Sequence, residues 1–133
     1  MATDSRDYFK NMTELLVKKK MLLAEMLELT RNQTPAIEEG SLDKLQKLIE
    51  EKQSRIDEID RLDTEFKTCM EKLKSAAGVK ELGELDASRF PGASELKQAT
   101  AEVMSLVEKI SSVEKINNAK SKELLEKLGS QIK

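Results

Sequence analysis

The chain has 133 residues and a net charge of −2, from 23 basic and 25 acidic residues, with 3% aromatic residues, no Trp, no His and a single Cys. Without histidine there is no imidazole–thiolate zinc site and no Ser-His-Asp or Cys-His nucleophile, with Cys69 alone there is no intramolecular disulfide, and the balanced charge offers no general attraction to nucleic acid or anionic lipid. No apolar run approaches the roughly 18 residues of a membrane span, and the polar Met1–Lys10 stretch reads as neither a secretory nor an organellar leader, so the expectation is a soluble protein of a reducing compartment, most simply the cytoplasm.

The first predicted helix covers about residues 4–33. Its apolar seam steps by three and four residues through Tyr8, Met12, Leu15, Lys19, Leu22, Met26, Leu29 and Gln33. Phe9, Leu16, Leu23 and Leu27 widen the stripe. The Lys18-Lys19-Lys20 run crosses it once and reads as a solvated face. Pro35 cannot donate a backbone hydrogen bond and disfavours helix at Thr34, so a break or kink is expected there, followed by a short turn over 35–39.

A second helix is predicted over 42–77. Its seam is Leu42, Leu45, Ile49, Lys52, Ile56, Ile59, Asp63, Phe66, Met70, Leu73 and Ala77, apolar at all but Lys52 and Asp63. Ser41 is placed to cap it, Asp43 suits its first turn, and Gly78 suits a left-handed C-cap. Residues 78–93 form the main connection, with Leu82, Leu85 and Phe90 expected to pack back and a short helical turn expected over Gly83–Arg89.

The third helix runs over about 94–130. Its seam begins as Leu96, Ala99, Val103, Leu106, Ile110 and Val113. Asn117, Asn118, Lys120, Ser121 and Lys122 then interrupt it, and a second apolar group follows at Leu124, Leu125, Leu128 and Ile132. Each helix has one apolar stripe and needs partners to be stable in water. The fold class is therefore all-α, an elongated antiparallel three-helix bundle or coiled-coil-like array in a single helical domain.

No catalytic constellation stands out. Glu38-Glu39 and Glu50-Glu51 read as solvated faces, the glycines form no phosphate-cradling loop, and Cys69 reads as an inert thiol. No cofactor and no metal are implied. Met12, Met26 and Met70 sit on seams and read as core, although methionine also suits surfaces that accept several partners. The best functional candidate is the far end of the third helix. Val113, Ile116, Leu124, Leu125, Leu128 and Ile132 are the candidate partner-binding residues. The second helix is not expected to reach far enough to cover the last four, so they pack on the bundle, on a second copy or on a partner helix.

The run Ala36-Ile37, Gly40-Ser41-Leu42-Asp43-Lys44-Leu45, Leu48-Ile49 and Lys52-Gln53 resembles the FlgN-type flagellar export chaperones. The continuation Ser54-Arg55-Ile56-Asp57-Glu58-Ile59-Asp60-Arg61-Leu62 is similar as well. Ser121-Lys122-Glu123-Leu124-Leu125 resembles the family's Asn-x-x-Leu-Leu segment, with Ser121 where Asn is commoner. The resemblance implies a cytoplasmic, non-enzymatic bacterial protein. It would bind the amphipathic helical end of a flagellar hook-associated protein, prevent premature assembly before type III export, and meet components of the export apparatus. It implies no nucleic acid and no membrane insertion, and leaves monomer and homodimer open. Two other readings stand beside it. One is a structural coiled-coil adaptor that self-associates through the same seams. The other rests on Arg55-Ile56-Asp57-Glu58-Ile59-Asp60-Arg61, which also looks like the opening helix of all-helical chorismate mutases.

Overall fold

The computed structural model describes residues 5–81 and 90–132, less the side chains of residues 5, 131 and 132. Three helices follow in order: α1 (Ser5–Glu39), α2 (Leu42–Ala77) and α3 (Ala93–Ile132). There is no strand among the described residues. The fold is an all-α three-helix bundle with α1 at its centre, packed along both α2 and α3. Ion pairs define the directions. Lys19 meets Asp63 at 2.7 Å, Arg55 meets Glu25 at 3.6 Å and Lys44 meets Glu39 at 2.9 Å, so α2 runs antiparallel to α1. Lys20 meets Glu102 and Lys120 meets Glu38, so α3 runs parallel to α1.

The helix ends follow from local chemistry. Gly40 and Gly78 both adopt left-handed φ, at 69° and 72°, which costs glycine nothing. At each, two backbone N–H groups turn back onto the last helical carbonyls: Gly40 to Ile37 and Ser41 to Ala36, then Gly78 to Ser75 and Val79 to Lys74. Ser41 occupies the N-cap of α2 in an extended conformation, but its side chain makes no capping bond. The Gly40–Ser41 turn between α1 and α2 is thus very short.

The expected break near Pro35 is absent. The helix does not end at Gln33; it continues to Glu39 with Pro35 inside it. Proline removes one donor and opposes the helix at its preceding turn. Here its ring lies on the exposed side, while Ala36 and Ile37 just beyond it are 3% and 5% exposed. Burial of those two side chains and the glycine cap hold the final turn in place. Of the predicted connection, Phe90 packs against Phe9 with ring centroids 5.9 Å apart. Leu82, Leu85 and the turn expected over Gly83–Arg89 lie outside the described residues.

The core is a seam of Phe9, Met12, Leu16, Leu23, Met26 and Leu27 from α1, Ile59 and Leu73 from α2, and Ala93, Leu96, Ala99, Val103 and Ile110 from α3. Met12 and Leu73 are fully buried. Gly92, at φ 92°, brings the backbone so close to Phe9 that an added Cβ would stand 3.1 Å from the Phe9 Cβ. The polar residues on the seams pair across the helices. Lys19 takes Asp63, and Lys52 reaches both Gln33 and Glu114.

Candidate partner-binding surface

The two ends of the bundle differ. Phe9, Leu73, Phe90 and Ala93 close one end. At the other, apolar burial runs out first on the flanking helices. The last buried apolar residue of α3 is Ile110, and none of α2's residues before Ile59 is buried. Leu42 and Ile49 are 76% and 46% exposed and Leu45 and Leu48 are half-buried. Their seam spacing marks them as core, yet they lie beside the last turns of α1 without being buried.

The α3 helix projects at this end. Lys120 pairs with Glu38, one residue before α1 terminates. The stretch 121–132 therefore continues roughly 18 Å past α1 at 1.5 Å per residue. The candidate residues divide accordingly. Val113 packs against the core cluster. Ile116 is half exposed, on a face of α3 turned away from the seam. Leu124 is half-buried, and Leu125 and Leu128 are 69% and 46% exposed on the projecting segment. The Ile132 side chain lies outside the described residues. Of the five described side chains, Val113 and Ile116 thus stand apart from Leu124, Leu125 and Leu128, which share the projecting segment.

The surroundings of the leucines are mixed. An open groove of about 590 Å³ runs between the end of α1 and α3, lined by Ile37, Glu38, Lys120, Leu124 and Lys127 among others. Glu38 and Glu39 sit at the C-terminus of α1, where acidic side chains oppose the helix dipole. Lys120 from α3 and Lys44 from α2 offset them, and the Glu38 carboxylate beside Lys120 holds its ammonium pKa above the usual lysine range. On the opposite side, the Lys52–Glu114 pair marks the facing edges of α2 and α3. Leu45 lies one heptad along the α2 edge, and Leu125 lies about three turns along the α3 edge. This end of the bundle therefore carries exposed or half-buried apolar residues on both α2 and α3.

Sequence reasoning placed Leu42, Leu45 and Ile49 on the α2 seam and missed that none of them is buried. The signal was present in Leu42 following directly on Gly40-Ser41, since a residue at a helix's first position lies outside any two-sided packing layer. It also misread Asn117. The interruption there is not where packing ends; Asn117 is 5% exposed, its amide donates to the Thr30 carbonyl at 2.9 Å, and the Thr34 hydroxyl donates to its side-chain oxygen.

Elsewhere the chemistry is structural. Lys19 and Lys20 of the lysine run are engaged with Asp63 and Glu102, whose pKa is lowered by hydrogen bonds from Lys20 and Gln98. Arg55 and Arg61 line a groove of about 660 Å³ on α1 and α2, where Lys18 is interleaved with Glu25, Glu58 and Glu65, and Arg55 is paired with Glu25. That interleaving does not present the converging cations that a dicarboxylate substrate needs. Among the described residues, no cluster of three or more Cys, Asp or Glu side chains is arranged to hold a metal ion, and no helix is long and apolar enough to cross a membrane.

A family model described as FlgN protein matches residues 1–133, the whole chain. The chain belongs to the FlgN family. Membership supports a flagellar export chaperone role in general, and FlgN is a chaperone family rather than a family of enzymes. No curated protein and no solved structure matches the chain. In this FlgN-family protein, α3 projects past α1 with Leu125 and Leu128 exposed.

Proposed function

We propose that this protein is a cytoplasmic export chaperone for the flagellar hook–filament junction proteins. Its client contributes an amphipathic helix that docks its apolar face on the open end of the bundle. Leu124, Leu125 and Leu128 supply the main contact on α3, Leu42, Leu45 and Ile49 supply the contact on α2, and Ile116 and Ile132 are further candidate contacts. Val113 belongs to the packed part of α3 from which the projecting segment extends. Docking covers the client surface that would otherwise assemble early, and delivery to the type III export apparatus follows.

The observation that carries this reading is the helix that outruns its neighbours with leucines exposed. Burying one such side chain contributes roughly 1.5–3 kcal/mol, and a docked helix recovers what the free bundle forgoes. Hydrogen exchange with and without the client's terminal helical peptide tests it. Protection is expected over 121–132 and 42–49. Protection confined to the outer groove between α1 and α2 would refute the assignment. A structural adaptor would instead fill the open end with a second copy, and sedimentation equilibrium at high concentration separates the two: a strict monomer that binds client is a chaperone.

A further inference from the structure

We propose that Asn117, held by Thr30 and Thr34, is the positioning residue that sets how far α3 projects past α1. The argument starts from spacing. Along α3, residues seven apart are Leu96, Val103, Ile110, Asn117 and Leu124. Along α1, the matching series is Phe9, Leu16, Leu23, Thr30 and Ile37. Both helices run the same way, and each series has a single polar member. The structure sets those two members opposite each other, with the Asn117 amide on the Thr30 carbonyl and the Thr34 hydroxyl on the Asn117 oxygen. Thr30 is fully buried and Asn117 nearly so. One heptad further on, Ile37 and Leu124 line the same groove.

Apolar heptads alone define register weakly. A slide of seven residues would exchange Leu96, Val103, Ile110 and Leu124 among similar sites. The covalent connections restrain α2 but not α3. The very short Gly40–Ser41 turn ties α2 to α1, whereas a long stretch separates Ala77 from Ala93. A slide toward the start of α1 would carry Asn117 opposite Leu23, with Leu27 where Thr34 now stands, so its side-chain oxygen would lose the hydroxyl that donates to it and its amide would enter an apolar layer. A buried amide without partners is costly, so the native register is singled out. One asparagine in an otherwise apolar heptad series has this effect in parallel coiled coils, at some expense of stability. The neighbouring Gln33–Lys52–Glu114 contacts add α2 to the same polar layer. The pin matters because the projecting leucines are the docking surface, and in that one respect it rests on the function proposed above.

The experiment uses the full chain without client. Spin labels are placed at the exposed positions Lys10 and Lys109, as K10C and K109C in a C69S background, and their separation is measured by double electron–electron resonance. The parent should give one distance. Asn117→Leu should keep its helicity and an equal or higher Tm, and should give a second population displaced by about 10 Å, the length of a heptad. A single unchanged distance would overturn the proposal. So would a marked fall in Tm or a loss of helicity, because either makes Asn117 a stabilising contact instead of a register device. Titration of the same variant with the client's helical peptide is read separately. Weakened binding in proportion to the shifted population is expected. A split distance with unchanged affinity would leave the pin standing and overturn the docking surface.

Discussion

Truncation of Leu125 separates binding from folding more sharply than any other single change. Leu125 is 69% exposed, so only about a third of its side chain is already removed from water. At roughly 1.5–3 kcal/mol for full burial, Leu125→Ala forgoes at most about 0.5–1 kcal/mol of stability in the free protein. If the client covers the remainder, the complex loses about 1–2 kcal/mol, which weakens binding by roughly 5–30-fold. Leu73→Ala is the control. That side chain is fully buried, and a buried Leu→Ala change costs about 2–5 kcal/mol. For a chain of this length, that lowers Tm by roughly 6–20 °C while leaving the docking surface untouched. The assay pairs thermal denaturation with calorimetric titration of a hook-associated helical peptide. Affinity unchanged by Leu125→Ala would refute the reasoning, as would a Tm loss equal to that of Leu73→Ala.

Other outcomes follow from described contacts. Gly92→Ala places a Cβ at a positive φ and 3.1 Å from the Phe9 Cβ, so a loss of about 1–3 kcal/mol is expected in chemical denaturation. Glu114→Ala should destabilise more than Lys52→Met, because Lys52 is the more buried partner at 13% side-chain exposure and would keep its charge without its main counterion. The pH profile has two limbs. Lys120 has a raised pKa in the fold, so the Glu38 pair contributes below the ordinary lysine pKa and is lost as pH rises through the folded value; Glu38→Gln should flatten that alkaline loss. Glu102 has a lowered pKa, so its contribution is present above the ordinary glutamate pKa and is lost as pH falls through the folded value; Lys20→Met should flatten that acid loss. Denaturant titrations across pH measure both limbs.

Much of the fold was legible because its signals are local. Gly40-Ser41 and Gly78 marked the start and the end of α2 through a conformation that glycine adopts at little cost, and the seams of the three helices named most of the core. The errors arose where distant residues decide. Pro35 sits in a helix because Ala36 and Ile37 are buried by other elements, which no window around Thr34 reveals. Leu42 and Ile49 match a core period, yet they stand exposed beside the last turns of α1, which the period alone does not reveal. Asn117 and Thr30 are each unremarkable alone; their meaning lies in being opposite one another, and sequence distance hides that. The projecting leucines lie beyond the polar interruption read from the sequence, of which Asn117 alone proved to be a buried contact.

The unequal connections also have a kinetic consequence. A very short turn lets α1 and α2 meet at small loop-closure cost, whereas α3 must close a longer loop before any of its seam is rewarded. The α1–α2 hairpin should therefore form first, also during synthesis, leaving the Phe9, Leu16 and Leu23 stripe waiting for α3. For a time the protein is itself an unfinished bundle with a vacant helical berth.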